Sequence, residues 1–252
     1  MKDSLLQPNH TATESPIMAK TKGFVIHRGL SPIDGQPIVA ILTLESSNRK
    51  TGNMAQVWIL RSDVNPVEAI NSGADISICG GCGHRKQADG SRSCYVNVGQ
   101  APNSVFKTFK AGGYINFPSN DQLRRNLKGR KIRWGAYGDP AMLPVELVLW
   151  INHYAVSHTG YTHQWRREFA SSFIGVFQAS CDGFADYLDA TAEGWHTFTV
   201  VGKHAQPTYA KQCPATVENS QAQCLTCSLC DGAKTNIFVH AHGSGAKHVV
   251  AA

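Results

Sequence analysis

The chain has 252 residues and a formal net charge of +6, with 42% hydrophobic and 17% charged residues. That much apolar content excludes a disordered polymer, and so small a basic excess excludes a histone-like tail. No stretch reaches the roughly 18 apolar residues of a membrane-spanning helix. The opening MKDSLLQPNHTATESP has no signal-peptide core, so the expected location is the cytoplasm, with no membrane partner.

Residues 1–22 are polar and carry Pro8 and Pro16, which predicts a flexible arm. Residues 24–27 and 38–44 are apolar runs split by the turn-rich SPIDGQP, a hairpin signal. Residues 56–60 read as another strand. Asn65 and Pro66 fit the N-cap and first position of a short helix. These runs make residues 23–73 a β-rich extension.

From residue 74 strands and helices alternate. Strands are predicted over 74–79, 131–137, 160–165, 173–179, 196–201 and 236–240, and helices over 101–110, 121–127, 143–157 and 183–192. The spacing implies βαβ units and a mostly parallel sheet, as an open or closed barrel. In such folds chemistry gathers at the carboxyl ends of strands. Those ends carry Cys79, Asp139, His163, Gln164, Cys181 and Lys203.

The strongest motif is CPATVENSQAQCLTCSLC, with Cys213, Cys224, Cys227 and Cys230 spaced C-x10-C-x2-C-x2-C. In a reducing compartment, clustered cysteines are metal ligands or catalytic groups more often than disulfides. A C-x2-C-x2-C run, with a remote fourth cysteine followed by proline, is spacing that wraps a cubane [4Fe–4S] cluster. Zinc, the alternative, more often uses two separated C-x2-C pairs. A second set, Cys79, Cys82 and Cys94, follows the spacing C-x2-C-x11-C. Three thiolates leave one iron of a second cluster open to substrate or S-adenosylmethionine; with His84 as fourth ligand the set suits zinc.

Cys181 stands alone, which suits a small buried hydrophobe, or else it supplies a missing fourth ligand. Asp139 can bind a cofactor hydroxyl or cap the next helix, and His163 can face the site or be a core residue. His240 and His242 alternate, so one of them faces the cluster. Arg124, Arg125, Lys128, Arg130, Lys131 and Arg133 form a basic patch, either a solvated helix end or a phosphate-binding surface for nucleic acid. Dinucleotide, Walker A, nucleophile-elbow and HExxH motifs are absent from the sequence.

The motif order resembles a known family. It runs from the cysteine pair through Cys94-Tyr95, Arg133, Gly138-Asp139, Tyr161-Thr162 to Trp165, and Ser180-Cys181-Asp182, to Cys213-Pro214, the CxxCxxC run and Phe238-Val239-His240. This resembles the phage- and plasmid-encoded "gene product eighty-eight" proteins. More distantly it is similar to radical S-adenosylmethionine enzymes, with three cysteines after the first strand of a partial (β/α) barrel. The resemblance implies such a barrel over 74–252, with a cluster-binding segment at 213–230. It also implies a host-cytoplasm location, cofactor contacts from Asp139, His163 and Gln164, and a small-molecule substrate or electron donor. The spacing departs from C-x3-C-x2-C, and Tyr95 follows the last cysteine where that pattern has an aromatic before it.

Overall fold

A computed structural model describes residues 21–242 and 245–249; nearly all of the arm expected over 1–22 lies outside them. The hairpin is present: β1 (Gly23–Leu30) pairs antiparallel with β2 (Pro37–Thr43), which pairs antiparallel with β3 (Ala55–Arg61). Every residue of β3, and all of β2 but Pro37, is buried. Such runs suit strands covered on both faces, where period-two alternation is lost.

β3 is the junction. Its other edge pairs in parallel with β5 (Lys131–Tyr137), and β5 pairs in parallel with β6 (Ser157–Thr159). The short β4 (Ile115–Asn116) adds to β1, giving the order β4-β1-β2-β3-β5-β6. Gly160 alone separates β6 from β7 (Tyr161–Thr162). A Cβ at Gly160 would come within 2.6 Å of the Phe177 ring and 3.1 Å of Trp134, so the close packing requires glycine. β7 opens a second, wholly parallel sheet with β8 (Gln178–Cys181), β9 (Thr197–Val201), β11 (Ile237–His240) and β10 (Lys211–Gln212). The fold is mixed α/β with parallel-rich sheets.

Helices fill the crossovers. α1 (Pro66–Ser72) starts as expected, with the Asn65 side chain accepting from the Val67 and Glu68 amides. α3 (Ala101–Lys110) is followed by α4 (Asn120–Leu127), which opens with a Ser119–Gln122 capping box. Leu123 and Leu127, one turn apart, fix α4 to the core by complete burial, worth about 1.5–3 kcal/mol each. α5 (Val145–Asn152) and α6 (Phe184–Ala192) follow.

Four expected elements change. Residues 74–79 form no strand: Ile76–Cys79 is a helical turn, α2. Its buried Ser77 hydroxyl donates to Asp34 and accepts from Arg61, contacts that hold the backbone coiled. The helix expected over 143–157 stops at Asn152, whose side chain accepts from the Trp134 indole at 2.8 Å, and the run's last residue is the first of β6. The strand expected over 160–165 is reduced to Tyr161–Thr162. In place of a strand from 173, a 3-10 turn over Glu168–Phe173 precedes β8.

Candidate metal centre

Residues of β5, β7, β8, β9 and β11, from near their starts to their carboxyl ends, line a cavity of about 430 Å³. All seven cysteines of the two motifs line it. All are free thiols.

The quartet is assembled from two directions. Cys213 follows β10, and its amide donates to the Phe238 carbonyl in β11. The other three lie on or just after α7 (Cys224–Cys227), which docks by main-chain bonds on the loop between β2 and β3: Cys224 N to Lys50 O and Leu225 N to Thr51 O, both 3.0 Å. Ser228 ends the turn with φ 51° and takes a 2.8 Å bond from Lys131 Nζ. The Cys230 carbonyl accepts from Gly160 N. Burial pushes the Cys230 thiol well above its ordinary range, and Cys213, Cys224 and Cys227 push it further. Burial also raises Cys213 and Cys224, against the lowering influence of Arg133 on Cys224.

The three-cysteine set occupies the loop leaving α2. Gly80 has φ 52°, and a Cβ there would meet the Gln164 amide at 2.2 Å. Gln164 clamps this loop, donating to Cys79 O at 3.0 Å and accepting from Gly81 N at 3.3 Å. Asp139 serves the same end: Oδ2 accepts from the His163 amide and from Gln164, while Oδ1 accepts from Ala141 N as a cap. Burial raises its pKa. Of the residues expected to contact a cofactor, Asp139 and His163 line the cavity, while Gln164 is spent on the loop. Burial, then Cys82, Asp75, Cys94 and Asp139, push the Cys79 thiol well up. Cys94 is raised chiefly by burial.

Beside Cys82 lies a group that motif spacing could not reveal. His84 Nε2 is 3.1 Å from Asp182 Oδ1, and His163 Nε2 is 3.5 Å from the same oxygen. His163 Nε2 also faces Cys82 Sγ at 3.7 Å and Ser180 Oγ at 3.1 Å. Burial would lower the His163 pKa, but Cys82 and Asp182 outweigh it and raise it well above the ordinary value. Burial raises Asp182, but the two imidazoles reverse that and hold it well below the carboxylate range. Among the described residues, these three are the one group of His, Cys, Asp or Glu whose donor atoms all lie within 4.8 Å of one another. Among the described residues no three cysteine sulfurs approach that closely.

Between the two cysteine sets runs a polar bridge. Tyr95 and Tyr161 hydroxyls are 2.7 Å apart, and Arg133 Nη2 donates to Tyr95 at 2.6 Å. Arg133 also feels Cys224, and Tyr161 stacks on Phe198 with ring centroids 4.4 Å apart. Burial would lower the Arg133 pKa, but Tyr95, Tyr161 and Cys224 raise it on balance. Asp182, Ser180 and Tyr161 are site residues that the motifs do not single out for chemistry. Their positions at the ends of parallel strands are the available signal.

Cys181 is fully buried, and burial pushes its thiol up to about 12. His240 and His242 both line the cavity; His240 Nε2 bonds Ala205 O at 2.8 Å, and His242 stacks on Tyr95. The basic patch divides: Arg130 bonds Leu44 O, Lys131 bonds Ser228 and Arg133 enters the cavity. No helix among the described residues is long and apolar enough to cross a membrane. The chain matches no family model, and no curated protein or solved structure is significantly similar to it.

Proposed function

We propose that this is a phage-type iron–sulfur protein of the cytoplasm, built on a radical-S-adenosylmethionine-like partial (β/α) barrel formed by β3, β5, β6–β7, β8, β9 and β11. Cys213, Cys224, Cys227 and Cys230 hold a [4Fe–4S] cluster, and Cys79, Cys82 and Cys94 hold a second one with an open iron. The observation that carries this reading is that both cysteine sets, unpaired, line one cavity, the three-cysteine set beside the carboxyl ends of β5 and β7 and the quartet's segment against the first residues of β5 and β6. Motif spacing supports a cluster over a single ion at the quartet, since a C-x2-C-x2-C run with a remote fourth cysteine followed by proline suits a cubane better than the two separated pairs usual for zinc.

Roles follow from ligand count. Four thiolates close the quartet's cluster, which suits structure or electron transfer. The three-cysteine cluster would bind S-adenosylmethionine at its open iron and supply it with an electron. The chain's own contribution there is to hold the loop through Gln164 and Asp139 and to offer His163 toward a cofactor or small substrate.

Anaerobic reconstitution with iron and sulfide, followed by metal analysis of wild type, Cys227→Ser and Cys82→Ser, tests the assignment. A brown protein with about eight irons, each variant losing about four, supports it. A colourless protein carrying zinc at both sets sinks it and leaves a zinc-stapled binding protein. The enzyme role fails separately if S-adenosylmethionine neither binds nor yields 5′-deoxyadenosine or methionine after reduction.

A further inference from the structure

We propose that His84, His163 and Asp182 form a separate binding site for a single divalent transition-metal ion, with an open coordination position facing the cavity. The three residues come from different parts of the fold: the loop after Cys82, the end of β7 and the end of β8. Their donor atoms nevertheless converge within 4.8 Å. Two imidazole nitrogens and a carboxylate oxygen are a borderline donor set suited to zinc or iron(II), unlike the all-thiolate sets beside them.

Three observations favour an ion over a plain ion pair. First, the His84 Nε2 and Asp182 Oδ1 atoms are buried and, though 3.1 Å apart, are poorly aligned as a hydrogen bond, so their mutual electrostatic attraction is not completed by a well-formed bond. Buried polar atoms in this state are costly unless something fills the space between them. Second, donors at about 2.0–2.2 Å around a tetrahedral ion lie roughly 3.3–3.6 Å apart. The two separations to Asp182 Oδ1, 3.1 and 3.5 Å, need to change by only a few tenths of an ångström, and the two imidazole donors lie within 4.8 Å of each other. Third, the His84 ring is already held by its far nitrogen: Nδ1 is 2.8 Å from Ser93 Oγ, which leaves Nε2 facing Asp182. A bond from the far ring nitrogen is the usual means of fixing a metal-binding histidine.

Gly83 makes room for this arrangement, since a Cβ there would come within 3.1 Å of Asp182 Oδ2. His84, His163 and Ser180 line the cavity, so the remaining coordination position opens to it. Three protein ligands plus one open position is the pattern of a metal that binds water or a substrate. The ligand class is an oxygen or nitrogen donor of a small molecule.

The test uses the full-length protein, reconstituted anaerobically with iron and sulfide, exposed to zinc and freed of loose metal by desalting. Zinc X-ray absorption should show a shell dominated by nitrogen and oxygen at about 2.0–2.1 Å. His84→Gln and Asp182→Asn should each lose about one zinc per chain while iron and sulfide stay unchanged. A sulfur-dominated shell near about 2.3 Å, no zinc retained by wild type, or zinc unchanged in both variants overturns the proposal. Wild-type absorption needs no variant to fold. The iron and sulfide counts report on the clusters alone, so failure of the cluster reading is seen separately from failure of this one.

Discussion

At the scale of single residues, the cavity depends on a few side chains whose positions leave little choice. Gly80 needs a positive φ and has Gln164 packed where a Cβ would go. Gly80→Ala is expected to cost about 1–3 kcal/mol from backbone strain, with a further loss from displacing Gln164. Urea unfolding reads the stability, and an iron deficit in the cysteine set Gln164 clamps reads the local effect. Arg133 is a cation that the quartet's thiols register, through Cys224 and Cys230. Removing a positive charge makes an electron less welcome, so Arg133→Met should lower the reduction potential of the quartet's cluster. An interaction of about 1 kcal/mol corresponds to roughly 40 mV for one electron. A redox titration followed by electron paramagnetic resonance checks it; an unchanged or raised potential contradicts it. The cysteines were legible in the sequence because their spacing is local. Asp182 was not, because it meets His84 and His163 only after β7 and β8 have paired.

At the scale of elements, the quartet's geometry is borrowed from a loop distant in sequence. α7 has only four residues, far too short to be stable alone, and is held by bonds to Lys50 and Thr51 and by Gln223 Nε2 to Arg49 O at 2.8 Å. Gly52 lies beneath it, with φ 68° and Leu225 Cβ 2.9 Å from where its own Cβ would be. Gly52→Val should therefore displace α7 and lower the quartet's iron several-fold without altering a ligand; iron content and visible absorbance measure this. This docking could not be read from the sequence, because main-chain bonds leave no pattern of residue types. The 74–79 turn was missed for a related reason. Its coil is fixed by Ser77 reaching Asp34 and Arg61, whereas periodicity in so short an apolar run cannot separate helix from strand. The hairpin, α1 and α4 were legible because turn residues, a cap and an apolar period each act locally.

At the scale of the whole molecule, strand and helix alternation announced parallel sheets, and eight of the eleven strands overlap runs read as strands, β6 lying where the helix over 143–157 was expected to end. β4 and β10, with two residues each, were too short to carry a pattern. The sequence order also hid that β3 joins the hairpin to the parallel strands, so residues 23–73 share a sheet with the cysteine-bearing region. Burial in this fold has a consequence for pH. Cys181 has an ordinary value of 9.0 and is pushed up to about 12 by burial. As pH rises through that window the unfolded chain loses the proton first, so native stability falls. A tenfold difference in proton affinity between the native and unfolded chain corresponds to about 1.4 kcal/mol, so the decline is on the order of a few kcal/mol and is absent below pH 9. Cys181→Ala should flatten the decline in urea midpoints across this range; a midpoint curve unchanged from wild type would show that another group controls it.

The central claim is that Cys213, Cys224, Cys227 and Cys230 hold a cubane cluster. Mössbauer spectra of the full-length protein, reconstituted anaerobically with isotopically enriched iron, address it most directly when recorded on the Cys82→Ser variant. The expected result is a single cluster signal from about four thiolate-bound irons with paired, delocalised valence. Iron present only as isolated high-spin ions, or no bound iron with zinc in its place, would contradict the account.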